Sequence, residues 1–163
     1  MTARNVDFQA LAEFRHEMRR FVNFSEQSAR AAGLEPQQHQ ALLALKGLPA
    51  DERRTISALA ASMQLRHNSA VELVNRLEAR GLLHRTPSPF DGREVLLRLN
   101  SRGERVLEKL SRQHRTELQL AGPKLIRALQ SVIRHAERRG THANRKPRRD
   151  QRPKYAKQSG AGR

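Results

Sequence analysis

Residues 55–107 decide the fold: TISALAASMQLRHNSAVELVNRLEARGLLHRTPSPFDGREVLLRLNSRGERVL. The stretch opens with a short apolar-periodic segment whose predicted N-cap is Thr55. A brief turn then leads into a longer helical segment, about residues 66–80, which ends before the C-cap signal Gly81. Two short apolar segments follow, about residues 83–86 and 94–99, and the Pro- and Gly-containing segment between them favours an exposed turn. A short helix, a tight turn, a longer helix and a hairpin predict a winged helix-turn-helix.

The longer helix of this stretch has two faces when its residues are placed at about 100° per residue. Its apolar arc includes Leu73, Val74 and Leu77, which we expect to pack inward. The other arc, with the start of the helix, carries the candidate DNA-contacting residues Arg66, His67, Asn68, Ser69, Glu72, Asn75 and Arg76. Asn pairs with adenine, and Arg with guanine or a phosphate, in a major groove that admits a helix. The alternative is an ordinary solvated face of an amphipathic helix.

The predicted hairpin favours DNA reading over that alternative. Its tip offers Asp91 and Arg93, and its strands offer Arg85 and Arg98. An arginine on a protruding loop can enter a narrow minor groove, where the negative potential is enhanced. Arg93 can simply pair with Asp91 at the surface, and the same pairing can orient Arg93 toward DNA.

The flanking segments predict further helices. Residues 6–32 have helical apolar spacing, and a second helix runs from Pro36 to a stop at Gly47 and Pro49. Ser101 and Glu104 predict a capping box that opens a helix. The pair at positions 122–123, Gly-Pro, predicts an interruption before a separate last helix. The fold class is therefore mostly α with a small β-hairpin wing.

Charge and composition narrow the function classes. The chain has 163 residues, 32 Lys and Arg against 16 Asp and Glu, and a formal charge of +16. Such a charge attracts a polyanion. Cysteine is absent, which excludes disulfides, thiolate metal sites and cysteine nucleophiles. No apolar run is long enough to suggest a membrane span. Residues 138–163 carry many basic and few apolar side chains, so we expect a disordered arm that attracts DNA phosphates.

The stretch quoted above resembles the core of MarR-family transcriptional regulators. Three features carry the resemblance: VNRLEARGLLHR at residues 74–85, the Asp-x-Arg at residues 91–93, and the segment from Leu99 to Gly103. It implies a homodimer held by the first and the last two helices, Arg93 in the minor groove, and Asn68, Ser69 and Glu72 near base edges. It also implies a small-molecule effector pocket, for which Arg15, His16, Arg19 and His39 are weak candidates.

The predicted organisation has four parts. Residues 1–33 form an N-terminal dimerisation helix, residues 34–100 the DNA-binding lobe, residues 101–137 the C-terminal dimerisation helices, and residues 138–163 the basic tail. The predicted protein is a cytoplasmic, nucleoid-associated regulator, most simply a repressor. It binds double-stranded DNA as a homodimer at a pseudo-palindromic operator, without a cofactor.

Three other functions stay open on the sequence. An architectural DNA-binding protein would use the same fold with little sequence preference, and an interaction module would bind a protein partner instead of DNA. A metal-responsive sensor would need a ligand cluster, but the histidines are scattered and no metal ligands are assigned. No catalytic motif stands out, so an enzyme is not expected.

Overall fold

The computed structural model describes residues 7–142 apart from positions 90 and 93, with the backbone alone over residues 135–142. Its helices and strands follow the chain as α1 (Phe8–Ala31), α2 (Pro36–Gly47), α3 (Ile56–Ser62), α4 (His67–Ala79), β1 (Leu83–Pro87), β2 (Val95–Leu99) and α5 (Ser101–His142). The fold class predicted from the sequence, mostly α with a small β-hairpin wing, is confirmed.

Local capping signals explain where several helices begin and end. The Thr55 hydroxyl accepts a hydrogen bond from the backbone N–H of Ala58 at 3.1 Å, so Thr55 is the N-cap of α3 as predicted. Gly81 follows α4 at φ +63°, a left-handed conformation that glycine adopts without a Cβ penalty. These boundaries depend on single residues and their neighbours, which is why the sequence reveals them.

The C-terminal region corrects one prediction, because Gly122 and Pro123 do not separate two helices. A single helix, α5, runs from Ser101 to His142 with Pro123 inside it. Proline removes one helical hydrogen bond and costs about 3 kcal/mol. Packing offsets that cost: α1 lies along α5, and α5 is buried both before the proline, at Leu110, and after it, at Ala128.

The start of α5 corrects a second prediction, because the cap is Asn100 rather than Ser101. The Asn100 Oδ1 accepts hydrogen bonds from the backbone N–H groups of Arg102 at 3.1 Å and Gly103 at 2.9 Å. The Glu104 carboxylate does not close a capping box and instead pairs with Lys46 Nζ at 2.8 Å. The asparagine also donates from Nδ2 to the Gly81 carbonyl, so it joins the ends of α4 and α5.

The core is aliphatic and is centred on α2. Leu42 and Leu45 of that helix are fully buried, among leucines from α3, α4, both strands and the first turns of α5. A fully buried leucine contributes about 1.5–3 kcal/mol relative to an exposed one, so this cluster holds the helix-turn-helix and the hairpin together. Gly103 lies so close to the Leu82 carbonyl that a Cβ there would overlap it.

The hairpin is antiparallel, with Leu83 opposite Leu99 and Pro87 opposite Val95. Beside it, the backbone N–H of Leu97 donates to the Arg54 carbonyl at 2.7 Å, which fastens β2 to the segment before α3. In the part of the chain with described structure, no helix is long and apolar enough to cross a membrane.

The predicted tail boundary is also shifted. α5 continues past position 137 to His142, so the helix includes the first residues of the segment expected to be disordered. The rest of the predicted tail, residues 143–163, lies outside the described residues. The proposed dimerisation roles of residues 1–33 and 101–137 stay predictions.

Candidate nucleic-acid interface

Helices α3 and α4 are joined by a tight turn that sets the direction of α4. Gln64 has φ +54°, a left-handed conformation uncommon for a residue with a side chain. The backbone N–H of Leu65 donates to the Ala60 carbonyl at 2.8 Å across this turn. Buried Leu59 of α3 and Leu73 of α4 belong to one core, so the angle between the two helices is fixed by packing.

The outer face of α4 matches the polar arc predicted from the sequence. Ala70, Leu73, Val74 and Leu77 are buried. All seven predicted DNA-contacting residues are exposed: Arg66 and His67 at the start of the helix, and Asn68, Ser69, Glu72, Asn75 and Arg76 on the outer face. Side chains on one exposed helix face can all reach into a groove together.

The N-terminal end of α4 is open. Its N-cap, Arg66, makes no side-chain capping hydrogen bond, and no acidic residue lies in the first turn. The first backbone N–H groups of a helix have no intrahelical partner, and the helix dipole adds partial positive charge there. This end of α4 is therefore chemically suited to a phosphate oxygen.

Glu78 connects α4 to the wing, a role that the sequence analysis missed. Its carboxylate forms an ion pair with the Arg85 guanidinium and accepts from the Arg85 backbone N–H at 3.2 Å. Arg85 also donates to the Asn75 Oδ1 at 2.7 Å. Arg85 and Asn75, both predicted to contact DNA, are thus tied to each other, and Arg85 orients the hairpin against α4.

A second ion pair holds the wing near its tip, where β2 begins. Arg53, before α3, pairs with Glu94 at 2.8 Å. At the tip, the Glu94 N–H donates to the Asp91 carbonyl at 2.9 Å, and the Asp91 side chain is exposed. Arg93, the predicted minor-groove residue, lies outside the described residues.

The predicted effector-pocket residues are not brought together. Arg15, His16 and Arg19 are exposed on α1, whereas His39 is only 1% exposed. His39 lines a cavity of about 440 Å³ between α1, α2 and α5, whose other lining residues are Phe21, Leu43, Ser111, His114, Arg115, Leu118 and Gln119. Among the described residues that line this cavity, His39 is the only one of the four candidates.

His39 is a buried histidine without polar partners. Neither ring nitrogen has a hydrogen-bond partner among the described residues, and its ring centroid lies 4.8 Å from that of His114. His114 instead makes a hydrogen-bond contact with the Ser25 hydroxyl at 2.8 Å. Burial, and secondly the charge of His114, lower the pKa of His39 to about 4. His39 is therefore neutral at pH 7.

The described residues also bear on the metal alternative. They contain no group of three or more His, Cys, Asp or Glu side chains that could hold a metal ion. His39 and His114 lie together, but a zinc site needs three or four protein ligands.

Comparison with known proteins agrees with this architecture. Residues 32–94, which span α2 to the wing, match the family model described as MarR family. No curated protein sequence gives a significant match.

Solved structures share the fold over most of the chain. A point mutant of MepR from S. aureus, bound to an oligodeoxyribonucleotide, is 17% identical with a TM-score of 0.58, covering 80% of this chain and 94% of that one. AbsC from Streptomyces coelicolor, a MarR family transcriptional regulator, is 19% identical with a TM-score of 0.63, covering 87% and 98%. CouR from Rhodococcus jostii RHA1, bound to p-coumaroyl-CoA, is 22% identical with a TM-score of 0.59, covering 77% and 92%.

Proposed function

From the premise that this chain is a winged helix-turn-helix protein of the MarR family, we propose that it is a sequence-specific transcriptional regulator of double-stranded DNA. One observation carries the proposal: the exposed polar face of α4 lies beside a wing that the Glu78–Arg85 ion pair holds in place. In this proposal Asn68, Ser69 and Glu72 read base edges, Arg66 and Arg76 contact phosphates, and the wing carries Arg93 to the minor groove.

The regulator works as a homodimer in this proposal. Both long helices expose large apolar side chains: Phe8, Leu11, Met18 and Val22 on α1, and Leu120, Ile126, Leu129 and Ile133 on α5. Exposed apolar patches of this kind mark protein–protein contacts, because their burial removes apolar area from water. Twofold symmetry would place two α4 helices about one helical turn of DNA apart, at a pseudo-palindromic operator.

A small-molecule effector would bind in the cavity lined by His39. Phe21, Leu43 and Leu118 offer an apolar wall, Arg115 offers a positive charge, and His39 is neutral there. These groups suit an anionic aromatic molecule. CouR is a relative of this fold with a bound ligand, p-coumaroyl-CoA. An effector that prefers one spacing of the two α4 helices would shift the population away from the DNA-binding state, as in a repressor that is released by its ligand.

The remaining parts of the chain complete this proposal. The basic residues between positions 138 and 157 add sequence-independent attraction to phosphates. The protein acts at the nucleoid in the cytoplasm, and no catalytic step is assigned to it.

Selection of bound sequences from a random duplex pool at near-physiological salt tests the proposal. We expect an inverted repeat with half-sites about 10 bp apart. Strong binding without an enriched motif would instead establish the architectural function, which the charge of +16 favours.

A further inference from the structure

A row of basic side chains follows one face of α5, and we name it the α5 basic row. Its members are Arg102, Arg105, Lys109, Arg112, Lys124, Arg127 and Arg134. All of them are exposed. At about 100° per residue they share one arc of the helix, and no Asp or Glu falls within that arc between residues 101 and 134. Glu108 and Glu117 lie at its two borders.

The α5 basic row is separate from the other two faces of the helix. Leu107, Leu110 and Ala128 are buried on the inward face. Ile126 and Ile133 are about half exposed on the side that we assign to the dimer. Leu120, which we also assign to the dimer, falls within the arc between Arg112 and Lys124, where the row has no basic residue. A dimer contact there would leave two exposed basic groups, at residues 102–112 and at residues 124–134.

Most of the row has no counter-charge within the described part of the chain. Arg112 pairs with Glu108, and Arg102 donates to the Arg80 carbonyl at 3.1 Å. Like charges three or four residues apart, as at Arg105, Lys109 and Arg112, destabilise a helix by a few tenths of a kcal/mol per pair. The phosphates of a bound polyanion would neutralise these like charges and would attract all of them.

We propose that the α5 basic row binds the phosphate backbone of duplex DNA, outside the segment that α4 reads and without sequence preference. The row is about 48 Å long at 1.5 Å per residue. A duplex presents about one negative charge per 1.7 Å along its axis, which suits a long helical row. Proteins that bind single-stranded nucleic acid add aromatic side chains on which bases stack, and helices that lie in a membrane interface add an apolar face. The arc has no aromatic residue, and its large apolar residues are Leu120 and, at the border, Val106.

The position of the row distinguishes it from the reading surface. It begins at Arg102, against the C-terminal end of α4, whereas the reading residues 66–69 lie at the other end of that helix. The phosphates that meet the row therefore belong to DNA flanking the operator or to a second duplex. This function goes beyond operator recognition.

The test compares full-length variants on random-sequence duplexes of about 20 and 60 bp. The row variant carries Arg105→Gln, Lys109→Gln and Arg127→Gln. The matched control carries Arg20→Gln, Arg30→Gln and Lys46→Gln, which remove the same charge from exposed positions outside the row. Fluorescence anisotropy gives log affinity against log salt, and circular dichroism verifies the fold. Because the duplexes are random, the result is independent of whether an operator exists.

We expect the row variant to lose about 2.7 units of salt slope per protomer on the long duplex, about 0.9 for each phosphate contact. Between 50 and 200 mM salt, the affinity of the row variant should therefore fall by a factor about 40 times smaller than that of the wild type. The control should keep the wild-type slope on both duplexes.

Two results would overturn the proposal: equal slopes for the row variant and the control, or a row-dependent slope on single-stranded RNA alone. If the row variant folds poorly, Lys109→Gln alone decides the matter. The loss of one phosphate contact should lower the slope by about 0.9 per protomer, and an unchanged slope in a folded protein contradicts the proposal.

Discussion

Replacing His39 tests whether a neutral, unpartnered histidine is built into the core. His39 is 1% exposed, neither ring nitrogen has a hydrogen-bond partner among the described residues, and its pKa is lowered to about 4. The substitution His39→Gln removes the titrating group and keeps a polar side chain. His16→Gln, at an exposed position on α1, controls for the loss of a histidine.

The expected change in the free energy of unfolding with pH follows from the pKa values of His39 in the unfolded and folded states. In the unfolded chain a histidine has a pKa of about 6.5, and in the folded protein this one has a pKa of about 4. Between these values the unfolded state binds more protons, so the free energy of unfolding falls as the pH falls through this window. The contribution is fully present above about pH 6.5. Lowering the pH from 7.5 to 4.5 should remove about 2.5 kcal/mol through His39 alone.

Urea unfolding at pH 7.5 and pH 4.5 measures this contribution at one fixed protein concentration, since the stability of a dimer depends on concentration. The loss of stability between the two pH values should be about 2.5 kcal/mol smaller for His39→Gln than for the wild type. If the wild type and His39→Gln lose the same free energy, the buried neutral state of His39 is refuted.

Three further predictions concern local geometry. Gly103→Ala should lower the free energy of unfolding by about 1–3 kcal/mol, because the added methyl group overlaps a backbone carbonyl. The control Gly122→Ala lies in open space on the same helix and should raise the free energy of unfolding by about 1 kcal/mol. Urea denaturation that finds Gly103→Ala more stable than Gly122→Ala would contradict this prediction. Glu78→Gln should weaken DNA binding about fivefold by releasing the Arg85 guanidinium, and should lower the thermal midpoint by about 2–4 °C, because the ion pair is worth about 1 kcal/mol. Unchanged affinity in anisotropy titrations would show that the ion pair does not position the wing. Pro123→Ala should stabilise α5 by about 1–3 kcal/mol in thermal unfolding, and a destabilised variant would argue against a continuous helix.

The sequence predicts those parts of the fold whose cause is local. The Thr55 cap, the Gly81 stop and the apolar arc of α4 all depend on residues within about one helical turn of each other, and the structure has them as predicted. The exposed residues of α4 follow from the same periodicity. Their roles at DNA stay predictions.

Tertiary contacts explain what the sequence did not reveal. A proline predicts a helix break, but packing on α1 carries α5 through Pro123. Glu78 meets Arg85 only because the chain reverses at Gly81, and no short motif announces that pair. His39 is a polar residue on a helix surface in the sequence, whereas its burial against His114 needs α2 and α5 to meet.

The most direct test of the central claim is the specificity ratio of the protein at one fixed salt concentration. The affinity for the inverted repeat recovered by selection is divided by the affinity for a scrambled duplex of the same length, for the wild type and for Asn68→Ala. We predict a wild-type ratio of at least about 10³, and a ratio about tenfold lower for Asn68→Ala, because one bidentate base contact is worth about 1–3 kcal/mol. A wild-type ratio near one would contradict sequence-specific reading by α4.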